Sequence, residues 1–208
     1  MYEAVPLVLG QVLGEPGDVT SHVYFSTEGF ISLVAMVDGH SGLEVGMVGR
    51  EGMLGAQLAL GVAATSSRAL VQGDGTAWRV SAADFRRELA RGTALQRCLS
   101  RYVHVLMSQL TSSAACLRYH QIGPRLARWL LMSQDRAHAS HFRVTQEFLG
   151  YMLGVRRVGV NAAASRLQNS GLIKYHRGAM TVLDRTGLEA AACGCYAADQ
   201  RVYASLLT

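Results

Sequence analysis

The sequence predicts an α+β protein with an N-terminal antiparallel β-roll, one long helix and a C-terminal winged helix-turn-helix. Three observations predict it. Short apolar stretches separated by turn residues fill the chain up to about Val80, and a heptad-spaced apolar series runs from Leu99 to Leu117. Thr145 to Arg177 then reads as helix, sharp turn, helix and hairpin.

The roll comes first. Candidate strands are Val5–Leu9, Val23–Ser26, Phe30–Val37, Glu44–Val48, Arg68–Gln72 and Thr76–Val80. Between them lie Glu15-Pro16-Gly17-Asp18, Asp38-Gly39-His40-Ser41-Gly42 and Gly73-Asp74-Gly75, which have turn compositions. Short strands at this spacing fit a roll or barrel. Gly49-Arg50-Glu51-Gly52-Met53-Leu54-Gly55 interrupts them before a short apolar helix, Ala56–Leu60. Glycines there let a backbone approach an anion at a helix N-terminus, and a tight structural corner fits them equally well.

Ser81-Ala82-Ala83-Asp84 is a capping box in its Asp form and starts a helix through Phe85 and Leu89. After Gly92 a longer helix carries Leu99, Val103, Leu106, Leu110, Ser113 and Leu117, alternating steps of four and three. That is an a/d seam, expected to pair two parallel copies; a helix buried against its own domain has the same pattern. The expected organisation is residues 1–92 as roll, 93–118 as dimerisation helix and 119–208 as winged helix-turn-helix.

The last unit is the most explicit. Thr145 caps a helix with apolar Leu149, Met152 and Leu153, and Gly154 stops it. A second helix sets Val160, Ala163, Ala164 and Leu167 on one face and ends at Gly171. Leu172–His176, Arg177-Gly178 and Met180–Leu183 form the wing hairpin. Such a unit lays its second helix in a DNA major groove. Arg156, Arg157, Val158 and Asn161 are then the residues expected at base edges, while Lys174, His176, Arg177, Thr145 and Gln146 are expected at phosphates. Gly159, which lowers helix stability, is expected to permit close approach to the DNA backbone.

Charge agrees. From Tyr119 onward there are 11 Lys and Arg against 5 Asp and Glu, a net of +6, whereas Met1 to Arg118 has 9 against 10, a net of −1. A neutral module joined to a basic one is what a sensor attached to a phosphate-binding unit requires. With half of 208 residues hydrophobic, the chain has enough apolar material for one or two cores. No apolar run approaches the ~20 residues of a membrane helix, and the start lacks a signal peptide's features. The few cysteines, irregularly spaced, fit a reducing cytoplasm.

Roll, glycine loop, long helix and winged helix-turn-helix in this order resemble the Crp/Fnr family of bacterial transcription regulators over almost the whole chain. The resemblance is most specific from Thr145 to Ile173, through Leu149-Gly150, Leu153-Gly154-Val155, Arg157, Val160, Leu167 and Gly171-Leu172-Ile173. Val23-Tyr24-Phe25 and Gly29 resemble the family's roll strands, and Gly49 to Gly55 its phosphate-binding cassette. The family usually carries a helix before the roll; here Met1 begins almost at the first strand, which is expected either of a truncated start or of a branch lacking that helix. The resemblance implies a cyclic-nucleotide-binding-like domain, a homodimer on a pseudo-palindromic duplex site, and RNA polymerase as a further partner.

Two departures matter. Nucleotide-binding members have a Gly-Glu for the ribose and an Arg-Ser/Thr-Ala for the cyclic phosphate; this chain has Gly55-Ala56 and Ser67-Arg68-Ala69. The carboxylate is gone and Arg68 is displaced by one, which in a strand reverses its face. The degenerate pocket is therefore assigned to Gly49, Gly52, Gly55, Ala56 and Arg68, with cyclic nucleotide not expected as effector and the cofactor unknown. In the reading helix the family's Ser-Arg-Glu-Thr-Val-x-Arg is replaced by Arg156-Arg157-Val158-Gly159-Val160-Asn161-Ala162, so the family's usual half-site does not carry over.

No motif for catalysis is present. Cys193-Gly194-Cys195 is a possible metal pair with Cys116 or a histidine, but its gap is one residue shorter than in zinc knuckles and no second pair accompanies it. The histidines (His22, His40, His104, His120, His138, His141, His176) are scattered, with His138 and His141 expected in a loop. The expectation is thus no catalytic residue, no metal ligand, and a DNA-binding regulator. A redox- or metal-responsive regulator using these cysteines and a non-DNA-binding dimeric module are the alternatives.

Overall fold

The computed structural model describes residues 2–38 and 42–207. Gly39, His40 and Ser41, in the middle of the expected turn after Asp38, lie outside the described residues. The first strands are β1 (Tyr2–Leu7), β2 (Val12–Gly14), β3 (His22–Ser26), β4 (Phe30–Ala35) and β5 (Leu43–Val48). A short 3-10 helix at Ala56–Leu60 precedes β6 (Arg68–Gly73) and β7 (Gly75–Ser81). They form two antiparallel sheets, ordered β1-β7-β3 and β2-β6-β4-β5, which enclose Leu7, Ile31, Val48, Ala69, Val71 and Ala77. Strand β2 is absent from the sequence-based expectation, being three residues long and nowhere fully buried.

Ser81 caps α1 (Ala82–Arg91) by accepting from the Asp84 amide at 3.0 Å, as the capping box requires. Helix α2 (Thr93–Tyr119) follows, and α1, α2, β3 and the 3-10 helix share a second cluster containing Val23, Met53, Phe85, Leu99 and Tyr102. Leu99 is therefore committed to its own core, which corrects its assignment to a seam between protomers. The face of α2 turned inward is Leu99, Tyr102, Val105, Gln109 and Cys116; Met107 and Leu110 stand in solvent, 60% and 43% exposed. Val103 and Leu106 are half-buried against the same cluster, and Ser113 and Leu117 border a cleft beside α3 (Ile122–Ala137).

Beyond α3 come β8 (His141–Arg143), α4 (Gln146–Leu153), α5 (Arg157–Asn169), β9 (Ile173–His176), β10 (Ala179–Val182), α6 (Arg185–Ala191) and α7 (Cys195–Leu207). His141 opens β8, which joins the wing as β8-β10-β9, and His138 caps α3 with a φ of 49°, so the two histidines do not share a loop. Thr145 caps α4 through the Phe148 amide at 3.1 Å, and Gly154 ends it at φ 62°. Helices α6 and α7 extend the fold beyond the expected elements, and α7 packs along α2.

The largest core cluster runs through α3, α4, α5, the wing, α6 and α7, and also takes in Phe30, Val34 and Met47 from β4 and β5. Strand β4 is accordingly buried nearly throughout, because roll residues cover one face and α3 the other. At this junction Glu44 accepts from Trp129 Nε1 at 2.9 Å and from the Ser32 hydroxyl. Burial pushes its carboxyl up from the usual 4.5 to about 7, against the pull of those two donors.

The folded state then holds the Glu44 proton where the unfolded chain has lost it. Stability is expected to fall as pH rises from 4.5 to about 7 and to level off above that. Unfolding free energies from urea titrations at about pH 5 and about pH 8 should differ by roughly 1–3 kcal/mol from this group, and Glu44→Gln should remove that difference.

Candidate nucleic-acid interface and sensor cavity

Helix α5 buries Val160, Ala163, Ala164 and Leu167, which turns Arg157, Val158, Asn161 and Ala162 outward. Val158 is 79% exposed, so its methyl groups stand free on this face. Gln146, at the start of α4, bridges two of these side chains: its Nε2 donates to Asn161 Oδ1 at 2.9 Å, and its Oε1 accepts from Arg157 Nε at 3.4 Å. Arg156 precedes α5 as its exposed N-cap residue.

The wing stands beside this face. Tyr175 donates its amide to Gln168 Oε1 at 2.8 Å and its hydroxyl to the Val144 carbonyl at 2.9 Å, tying β9 to α5 and to the strand before α4. The β9–β10 turn has positive φ at both central residues, Arg177 at 48° and Gly178 at 81°. Asn or Gly is the usual first residue of such a turn; an arginine there costs on the order of 1 kcal/mol and puts a guanidinium at the wing tip. Thr145, Gln146, Glu147, Arg157, Tyr175, His176, Arg177 and Gly178 line a cleft of ≈ 400 Å³ between helices and wing. Lys174 is exposed on β9.

The nine residues expected to touch DNA thus fall on one region formed by α4, α5 and the wing. Gly159 does not belong to it. A Cβ there would lie 2.8 Å from Ile122 Cδ1, so this glycine serves the packing of α5 on α3, which replaces the expected role at the DNA backbone.

The pocket residues do not stay together. Gly55 and Ala56 border an apolar cavity of ≈ 360 Å³ between the roll and α2, with Leu33, Val48, Met53 and Leu106. Among the described residues, those lining it carry no charge. Arg68 faces elsewhere: its Nε donates to both carboxylate oxygens of Glu15, at 3.0 and 2.9 Å. Gly49 and Gly52 form the structural corner. A Cβ on Gly52 would overlap the Tyr102 ring, and the Gly49 amide donates to Glu51 Oε1 at 3.1 Å. The polar side chains at the cavity wall are the neutral Gln57, Thr65, Ser66, Ser67 and Gln109, so a phosphate there would meet hydrogen-bond donors but no cationic side chain from the lining.

The cysteine pair that the sequence suggests, with no metal ligand expected of it, takes part in a convergence. Cys116 and His120 from the end of α2 meet Cys193 and Cys195 from the α6–α7 corner, with one potential ligand atom of each lying within 4.8 Å of all the others. The i, i+4 spacing of Cys116 and His120 on one helix face is the legible signal.

Residues 124–191 match the family model of the Crp-like helix-turn-helix domain. Over nearly the whole chain the fold is similar to that of FixK2 from Bradyrhizobium japonicum, with a TM-score of 0.77 at 14% identity, covering 93% of this chain and 98% of that one. It is also similar to TTHA1359, a Crp/Fnr family transcriptional regulator from Thermus thermophilus: TM-score 0.67, 20% identity, 91% and 98% covered. The c-di-GMP responsive global regulator CLP of Xanthomonas campestris gives a TM-score of 0.64 at 17% identity, with 87% and 93% covered. No curated protein sequence matches the chain. The chain thus has the fold of these solved structures, and residues 124–191 carry a Crp-like helix-turn-helix domain. Among the described residues no helix is long and apolar enough to cross a membrane.

Calorimetry with cyclic AMP at about 1 mM is expected to give no binding heat and no change in DNA affinity, since Arg68 is held by Glu15 and Ala56 offers no carboxylate. Micromolar binding would show that the cavity rearranges to recruit a charge partner.

Proposed function

We propose that the protein is a cytoplasmic, homodimeric, sequence-specific transcription regulator. Residues 1–92 receive a signal, 93–118 pair the protomers and 119–208 grip a pseudo-palindromic duplex. The observation that carries this reading is the Arg157–Gln146–Asn161 cluster, exposed on one face with a basic wing beside it. Arginine bidentate to guanine and asparagine bidentate to adenine are the usual major-groove pairings. The apolar, uncharged cavity against α2 supports an effector other than a cyclic nucleotide, acting on the helix that joins roll to reader.

The two classes of DNA-facing residue separate on mutation. Arg157→Ala should cost roughly 1–3 kcal/mol at the cognate site and relax the choice of base there, read by competition against single-base variants. Arg177→Ala should weaken all duplexes about equally and lower the slope of log affinity against log salt by roughly one for each phosphate no longer neutralised. Uniform loss in both variants would remove α5 as the reader, and unchanged binding in both would end the DNA reading.

The exposed side of α2 supports a two-fold interface in which Met107 and Leu110, rather than Leu99, bury apolar surface. Met107→Glu with Leu110→Glu would set four carboxylates against one another, and sedimentation of this variant should give a monomer that is still folded. A wild-type monomer at micromolar concentration would overturn the dimer.

A further inference from the structure

We propose that Cys116, His120, Cys193 and Cys195 form a closed tetrahedral Zn²⁺ site that fastens the end of α2 to the α6–α7 corner. The four come from two regions far apart in the chain: Cys116 lies in the last turn of α2, His120 is its C-cap, Cys193 follows α6 and Cys195 opens α7. The Cys116 and Cys193 sulfurs are 3.4 Å apart, and Cys195 Sγ is 3.6 Å from His120 Nδ1. Zn–S bonds of about 2.3 Å and a Zn–N bond of about 2.0 Å give tetrahedral edges of roughly 3.5–3.8 Å, the scale of these separations. A disulfide needs sulfurs about 2.05 Å apart, so the Cys116–Cys193 pair is not one.

The donor chemistry selects the ion. Three thiols and an imidazole form a soft set that takes Zn²⁺ in preference to Mg²⁺ or Ca²⁺, and four protein ligands leave no open position for substrate. Cys116 and Cys193 are buried, while Cys195 and His120 reach partly into solvent, which gives an ion a way in. Zinc displaces the thiol protons to solvent, so three thiolates and one Zn²⁺ leave one negative charge. A counter-charge stands ready. The Arg125 guanidinium is buried, donates to the Leu153 carbonyl and interacts electrostatically with Cys116 and Cys193. Among the described residues no carboxylate pairs with it, whereas its neighbour Arg128 is matched by Asp199 at 2.7 Å. A buried cation without an acidic partner is costly unless the thiols beside it are anionic.

The position gives the ion a structural effect. His120 and Gln121 separate α2 from α3, and the Cys193 amide donates to the Pro124 carbonyl at 3.3 Å, so the ion would hold the corner between long helix and reader. This inference does not rest on DNA binding.

The test is metal analysis of the full chain purified under reducing conditions from zinc-supplemented cells, followed by Co²⁺ titration of the chelated protein. Wild type should carry about one zinc per protomer, and its Co²⁺ form should show thiolate charge-transfer and tetrahedral d–d absorption. His120→Ala and Cys195→Ser, chosen because both side chains are only half-buried, should lose the zinc and the spectrum with circular dichroism unchanged. Cys98→Ser, at an exposed cysteine outside the cluster, should keep both. The proposal is overturned by wild type that takes up neither ion, by zinc retained in the His120→Ala/Cys195→Ser double variant, or by iron with acid-labile sulfide in the purified protein.

Discussion

The guanidinium of Arg136 holds the roll, the long helix and the reader in one arrangement. It is buried on α3, and each part of its fork is used: Nε donates to Glu51 Oε1 at 3.0 Å, Nη1 to the Met132 carbonyl at 3.1 Å and Nη2 to the Tyr203 hydroxyl at 2.6 Å. Tyr203 also receives Gln109 Nε2 at 2.8 Å, and Gln109 Oε1 accepts from the Met47 amide at 2.7 Å. The circuit therefore passes from the roll through α3, α7 and α2 and back to the roll. Burial opposes the charge, and the Glu51 carboxylate beside it acts the other way, leaving the arginine more basic than usual. Removing one partner of such a pair leaves the other uncompensated in a low-dielectric setting, which is why the circuit acts as a unit.

This circuit accounts for the glycine loop. Gly49-Arg50-Glu51-Gly52 has the look of an anion cradle, yet its carboxylate is committed to Arg136 and its glycines make room for Arg136 and Tyr102. The loop faces the reader domain instead of a ligand. The cavity beside it is left largely apolar and is bordered by α2 through Leu106, Met107, Gln109 and Leu110. Gln109 thus belongs both to the cavity wall and to the Arg136 circuit.

The legible parts of the sequence are those governed by local rules. Thr145, Gly154 and Ser81 can be assigned as caps because capping depends on neighbours within one turn, and the alternation of α5 is plain from Val160, Ala163, Ala164 and Leu167. Arg68 can be set aside because a one-residue shift reverses a strand face. What escapes is non-local. Leu99 fits a heptad as well as a domain core, and only the packing of Phe85 and Met53 against it decides between them. Helix α6 is seven residues long and α7 has weak periodicity, although Asp184, whose carboxylate accepts the Gly187 amide at 2.9 Å, marks a helix start. The gathering of Cys116 with Cys193, 77 residues away, follows from α7 lying along α2, which no spacing rule anticipates.

The Gln146 bridge has a consequence for discrimination. In the unbound protein Gln146 engages one donor of Arg157, Nε at 3.4 Å, and the Oδ1 acceptor of Asn161 at 2.9 Å, while Arg157 Nη1 and Nη2 and Asn161 Nδ2 lie outside the bridge. If α5 reads bases as proposed, a base edge that takes Arg157 Nε or Asn161 Oδ1 would have to compete with Gln146. The bridge would then work as a threshold: it would yield where the correct base edges replace both of its bonds at once, and hold where phosphates alone attract. A side chain that touches Arg157 and Asn161 rather than the bases would then set how strict the proposed reading is.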